Sequence, residues 1–185
     1  MKNSKFLVIA ALVLMSITSF GQKQIDKSGT IHLFSKTPMF IIEADNNKVA
    51  SIINTQTGDI VVSTLVRSFK FHEALVEEHF NENYMESQTF PKSSFKGKIV
   101  NNASINYSKD GSYPAVIEGD LTMHGVTNHV KENATITISG GKISSSMEMH
   151  VSLAAYKIKV EESYKDRISD DIKLSIKFNF APVVQ

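Results

Sequence analysis

The sequence predicts an all-β domain, a single antiparallel β-barrel of about eight strands carrying one amphipathic helix. Three observations predict it. Apolar and polar residues alternate with a period of two through most of the chain, turn signals interrupt that alternation, and in one stretch only the apolar spacing changes to threes and fours.

The first 21 residues stand apart from this pattern. Lys2 and Lys5 form a basic start, Phe6 to Met15 a nearly continuous apolar core, and Ser19-Phe20-Gly21 a small-x-small cleavage site, the pattern of a secretory signal peptide. Its apolar run is shorter than the roughly 20 residues a helix needs to span a bilayer. The mature chain is therefore expected to begin at Gln22 and to be periplasmic or secreted. The absence of cysteine excludes a lipid-modified cysteine, disulfides and thiolate metal sites, so the folded chain must rest on its hydrophobic core. Removing Lys2 and Lys5 lowers the 20 Lys and Arg to 18 against 19 Asp and Glu, and the net charge moves from +1 to −1. A near-neutral chain lacks the electrostatic footprint of a nucleic-acid binder. Residues 22–185 suit one domain, with no linker, low-complexity tract or repeat to divide them.

Turn signals fall at Asp45-Asn46-Asn47, Thr57-Gly58-Asp59, Lys109-Asp110-Gly111 and Gly140-Gly141. From His72 to Tyr84 the apolar positions Leu75, Val76, His79, Phe80 and Tyr84 oppose Glu73, Glu77, Glu78, Asn81 and Glu82, which predicts one amphipathic helix. Glu118 to Val130 reads as a β-hairpin, with Leu121 and Met123 on one arm, Val126 and Val130 on the other, and His124-Gly125 at the bend. Ala134, Ile136 and Ile138 alternate with polar residues, as do Met147, Met149, Val151 and Leu153. The last strand places Ile172, Leu174, Ile176, Phe178 and Phe180 on one face. Such one-face-buried strands are antiparallel, and closing them into a barrel removes exposed edges; a sandwich is the alternative. A barrel of this size can hold a small ligand, as lipocalins do.

The hairpin also resembles the Gly-Asp-Leu-Thr-x-x-Gly-Val-Thr segment of the YceI-like family, through Gly119, Asp120, Leu121, Thr122, Gly125, Val126 and Thr127. Glu78 to Met85 and Phe90 to Gly97 are similar to the family's helix and the Tyr-Pro-x-x-x-Phe segment after it, with Phe90 in place of tyrosine. Val151 to Ile158 resembles a late strand ending Asp-Tyr-x-Ile, with Ala155 in place of the acid. The resemblance runs from Thr30 to Phe180. It implies a secreted or periplasmic lipocalin-like barrel that holds a polyisoprenoid along its interior.

Phe71, Phe80, Tyr84, Phe95, Met123, Met147, Met149, Tyr156 and Phe178, with Phe180, are the residues that would line such a cavity. Methionine suits the wall because its flexible thioether adapts to a lipid chain. The same residues would equally fill an ordinary core. His72 and His79 share a helix face, yet zinc sites on helices use i, i+4 pairs with a third ligand, so His79 reads as a hydrogen-bonded core histidine. His124 and His129 read as turn or outward residues, His124 with the further option of meeting a head group at a barrel mouth. Asp120 points outward as a structural acid. No nucleophile elbow, phosphate loop or cofactor fingerprint occurs, so no catalytic residue, metal or cofactor is assigned. The leading function is an exported carrier of an isoprenoid or other long-chain lipid, with no nucleic-acid partner and no membrane span. A ligand-free interaction or stress-protection module and an enzyme acting on a lipid-like substrate are the competing readings. Homodimer formation is left open.

Overall fold

The computed structural model describes residues 23–183; the expected signal peptide, Met1 to Gly21, lies outside the described residues. Within them the strands are β1 (Lys23–Lys36), β2 (Ile41–Asn54), β3 (Asp59–Leu65), β4 (Lys70–Phe71), β5 (Lys92–Ile99), β6 (Gly111–Met123), β7 (Val126–Ser139), β8 (Lys142–Ser152) and β9 (Asp171–Pro182). Eight of them pair antiparallel in the order β1, β2, β3, β5, β6, β7, β8, β9, and β9 pairs back onto β1. The barrel is therefore closed, which rules out the sandwich. The two-residue β4 pairs with β2 at its rim, Ala44 opposite Phe71.

Local chemistry explains the turns. His124 and Gly125 have φ of 51° and 71°, the left-handed pair a two-residue hairpin needs, and an added Cβ on Gly125 would lie 2.5 Å from the Phe90 ring. Thr57-Gly58-Asp59, Lys109-Asp110-Gly111 and Gly140-Gly141 all mark the ends of strands as expected. Asp45-Asn46-Asn47 does not. Strand β2 runs through it, and the register slips so that Gly29 faces Val49 while Ile31 faces Asn46. Asn46 is 0% exposed; its amide donates to Thr64 Oγ1 at 2.8 Å, and its Oδ1 accepts the Lys48 N–H at 2.9 Å. The register slip is a β-bulge between the stretches of β2 that pair with β4 and β3, with Asn46 buried and Asp45 and Asn47 exposed. The tight connection between β1 and β2 lies instead at Thr37 to Phe40, where the Thr37 hydroxyl accepts the Phe40 N–H at 3.1 Å.

The helical segment is shorter than the pattern suggests. Helix α1 spans Ala74–His79 and continues as one π-helical turn over Phe80–Tyr84, while Glu73 is extended. Glu77 fixes it to β4 by an ion pair with Lys70 and by accepting the Phe71 N–H at 3.3 Å. The Lys70 ammonium holds the Glu77 carboxyl below its usual pKa of 4.5. Phe80 packs on Phe71 and Phe69, with ring centroids 4.9 Å and 5.6 Å away, so the helix sits against the barrel end reached by β3, β5 and β6.

Two buried clusters fill the two ends. One contains Ile53, Ile99, Ile136, Ile138, Ile143 and Phe180 and packs the end holding the Gly140-Gly141 hairpin. The other contains Val66, Met85, Val151, Tyr156 and Ile158 beneath the helix end.

Candidate functional site

Between these clusters lies a cavity of about 580 Å³. Every barrel strand contributes to its wall: Ile31 and Leu33 of β1, Ile42 of β2, Ile60 and Val62 of β3, Phe95 of β5, Ile117, Leu121 and Met123 of β6, Val130 and Ala134 of β7, Met147 and Met149 of β8, and Leu174, Ile176 and Phe178 of β9, inward positions that alternate along the strands. The volume lies within the range of small-molecule sites, about 300 to 1,000 Å³. Its wall is almost wholly apolar. Phe71, Phe80 and Tyr84 close it from β4 and the helical segment, and burial raises the pKa of the Tyr84 hydroxyl above its usual 10.0.

The opening is identified by residues that line the cavity yet face solvent. Ile41 is 60% exposed and Leu75 61%, with Phe40 beside them. They form an apolar lip between the β1–β2 connection and the start of α1. Across it, the Arg167 guanidinium lies 5.1 Å from the centre of the Phe40 ring and 5.9 Å from that of Tyr164.

Of the nine residues that sequence reasoning assigned to the wall, Phe71, Phe80, Tyr84, Phe95, Met123, Met147, Met149 and Phe178 are brought together here. Tyr156 is not. Strand β8 ends at Ser152, where Asp170 accepts the Ser152 hydroxyl at 2.7 Å and the Ala154 N–H at 2.8 Å, and the chain turns through a 3-10 segment at Ala154–Tyr156. The strand alternation therefore stops short of Tyr156, which packs in the cluster below the helix. The Asn128 amide donates to the Ala155 carbonyl at 2.9 Å; the buried Tyr156 hydroxyl makes no hydrogen bond to a described residue, and burial raises its pKa, an effect the nearby Asn128 side chain offsets in part. Phe180 likewise lies outside the cavity wall, in the packed end.

The histidines divide by location. His79 lines the cavity half-buried, with no hydrogen bond to any described residue, in place of the hydrogen-bonded core histidine expected, because its face of the helix looks onto open space and not onto packed backbone. The side chain of His124 is 9% exposed and is held away from the cavity: Nδ1 donates to the Tyr156 carbonyl at 3.1 Å, Nε2 lies 3.2 Å from Glu86, and Phe90 packs edge-on at 4.8 Å. It occupies the hairpin turn as expected, and its side chain clamps that turn to two loops. Outside the barrel, His129 lies 2.9 Å from Asp120 and 3.4 Å from Glu118, and these hydrogen bonds raise its pKa above 6.5. Asp120 thus points outward and pairs with a histidine, while Lys131 pairs with Glu118 at 2.9 Å. Among the described residues no group of three His, Asp or Glu is arranged to hold a metal ion.

Sequence reasoning passed over Glu132 and Ser145, two polar residues on the cavity wall. Both fall on the inward register, since stepping back by two from Ala134 reaches Glu132 and from Met147 reaches Ser145.

The YceI-like domain family model matches residues 13–180. The chain belongs to the YceI-like family. Among solved structures this YceI-like chain is similar to a polyisoprenoid-binding domain from Saccharophagus degradans, with a TM-score of 0.76 and 11% identity over 87% of this chain and 98% of that one. It is similar also to BcnA of Burkholderia cenocepacia, with a TM-score of 0.70 and 15% identity over 85% and 99% of the two chains. The YceI protein of Campylobacter jejuni matches with a TM-score of 0.56 and 17% identity over 77% and 85%. At such identities these likenesses establish the YceI-like fold. No curated protein sequence matches the chain. No helix among the described residues is long and apolar enough to cross a membrane.

Proposed function

We propose that this YceI-like protein is an exported, non-enzymatic carrier that sequesters a long apolar chain, an isoprenoid or related lipid, inside the barrel. The observation that carries this reading is the apolar cavity of about 580 Å³ lying between two packed ends and opening at an apolar lip. Burying each methylene of a ligand contributes about 0.8 kcal/mol, so such a wall rewards chain length above all. Met123, Met147 and Met149 give that wall side chains that adjust to a kinked chain. The polyisoprenoid-binding neighbour supports the class of ligand. Binding is favoured over catalysis because no cavity-lining serine or histidine is hydrogen-bonded to a cavity-lining carboxylate among the described residues, leaving no nucleophile and base in contact. Export rests on the Lys2-to-Gly21 pattern, and the mature chain then begins at Gln22.

Protein purified from its native source and extracted with organic solvent is expected to release a long-chain lipid detectable by mass spectrometry. N-terminal sequencing of the same material is expected to start at Gln22. Source-purified protein that carries no lipid, and binds none across a series of chain lengths, would establish the ligand-free interaction module in its place.

A further inference from the structure

The barrel wall is not continuous. The β7–β8 ladder runs only from Ser139 opposite Lys142 to Ala134 opposite Met147. On either side the neighbouring ladders continue, β6–β7 as far as Met123 opposite Val126 and β8–β9 as far as Ser152 opposite Asp171. Residues 126–133 of β7 and 148–152 of β8 therefore part company and leave a gap. Asn128 and His124 bridge its far end through the Ala155 and Tyr156 carbonyls, at 2.9 Å and 3.1 Å. Where the strands fork, a surface depression and the main cavity share Ala134, Ser146, Met147 and Ile176 as lining, so the wall there is one side chain thick.

Glu132 stands at this fork. It lies on the inward register of β7 between Val130 and Ala134, opposite Ile117 of β6, and it lines the cavity. Its carboxylate makes no hydrogen bond or ion pair with any described residue. The neighbouring Lys131 points outward to Glu118, and Arg167 stacks over Phe40 and Tyr164 at the lip. A carboxylate on an apolar wall is costly without water or a partner, and Glu132 is only half-buried. A ligand that fills the cavity must either strand that carboxylate or satisfy it.

We propose that the β7–β8 gap is a polar side opening of the cavity and that Glu132 is its head-group acceptor, selecting long-chain ligands whose head is a cation or hydrogen-bond donor over those with an anionic head. The inference rests on the carrier reading and specifies the ligand class for the same cavity. A charge-assisted hydrogen bond from an ammonium head to the carboxylate is roughly twice as strong as a neutral one. A phosphate head placed there meets a like charge.

The test uses octadecylamine, octadecanol and octadecyl phosphate as competitors for an apolar fluorescent reporter, with wild-type protein, Glu132→Gln and Glu132→Leu. Wild type is expected to bind the amine at least about tenfold more tightly than the phosphate, the alcohol falling between. Glu132→Leu, which completes an apolar wall and so keeps the fold, is expected to erase that order, and Glu132→Gln to retain the alcohol while losing the advantage of the amine. Glu118→Gln removes the same charge from the outer face and is expected to leave the order intact. Equal binding of the three probes by wild type, or an order that survives in Glu132→Leu, overturns the head-group inference alone. Failure of wild type to bind any probe overturns the carrier reading and this inference together.

Discussion

Phe178 offers the sharpest test of a hollow barrel, because its ring is shared between packed core and open cavity. It is 4% exposed, its ring centroid lies 5.7 Å from that of Phe180, and a Cβ added to Gly29 would come within 2.2 Å of it. Its other side faces the cavity. A Phe→Ala change in a filled core costs about 3 to 5 kcal/mol, from lost transfer energy and the void left behind. Here part of the ring has no partner atoms to lose, since the void already exists. Phe178→Ala is therefore expected to cost about 3 kcal/mol, at the low end of that range. It should also extend the cavity toward the packed end, so that the chain length at which ligand affinity levels off increases. Urea unfolding read by circular dichroism gives the first quantity, and displacement of a fluorescent reporter by a homologous series of alcohols gives the second. A loss well above 5 kcal/mol, with no change in the preferred chain length, would mean that Phe178 is packed on all sides and that the cavity does not reach it.

Further outcomes follow from other positions. Gly125→Ala is expected to destabilise by about 1 to 3 kcal/mol in urea unfolding, because the new side chain must adopt a positive φ and displace the Phe90 ring. Tyr156→Phe is expected to be neutral or stabilising in the same assay, since it removes a buried hydroxyl that has no partner. His129, whose pKa is raised chiefly by Asp120 and then by Glu118, should titrate by NMR above 6.5, and Asp120→Asn should lower its midpoint. Because the folded value is the higher one, the stability His129 contributes is complete below its unfolded pKa and is lost as pH rises through the folded pKa; Asp120→Asn should flatten that part of the pH–stability curve.

Much of the wall was legible because a strand's period is local. Counting in twos leads to Met147, Met149 and Phe178 on the cavity wall, but it does not tell wall from packed end, where Phe180 lies, and it stops where the strand ends, before Tyr156. Polar residues misled in both directions. Asp45-Asn46-Asn47 has the composition of a turn, yet Asn46 is buried and spends its amide on Thr64 and Leu65 of the neighbouring strand β3, partners 18 and 19 residues on in sequence. Glu132 sits on the inward register, but a carboxylate there breaks the apolar alternation and so reads as the end of a pattern. The β7–β8 gap left no mark in the sequence of either strand. Where a ladder stops depends on long-range register, and both strands keep their own alternation past the point where they part.

Whether the barrel is hollow could not be read from the apolar residues, which face inward in either case; the informative residues are the small ones among them. Ala134 and Ser145 occupy inward positions at the level of the cavity, where Ile136, Ile138, Ile143 and Phe180 fill the same register closer to the packed end. Ser145 lies between Ile136 on β7 and Phe178 on β9, and its hydroxyl has no hydrogen-bond partner among the described residues. The sign of one substitution separates the two kinds of barrel. In a filled core Ser145→Leu would overpack and cost about 1 to 3 kcal/mol. In a hollow one the leucine enters empty space and gains part of the roughly 1.5 to 3 kcal/mol available from burying its side chain. Ser145→Leu is therefore expected to raise the urea midpoint while shortening the ligand chain the barrel prefers, the opposite of Phe178→Ala on both counts. A lowered midpoint with unchanged chain-length preference would show that the space beside Ser145 is already occupied by protein, and the small residues would then serve packing and not a ligand.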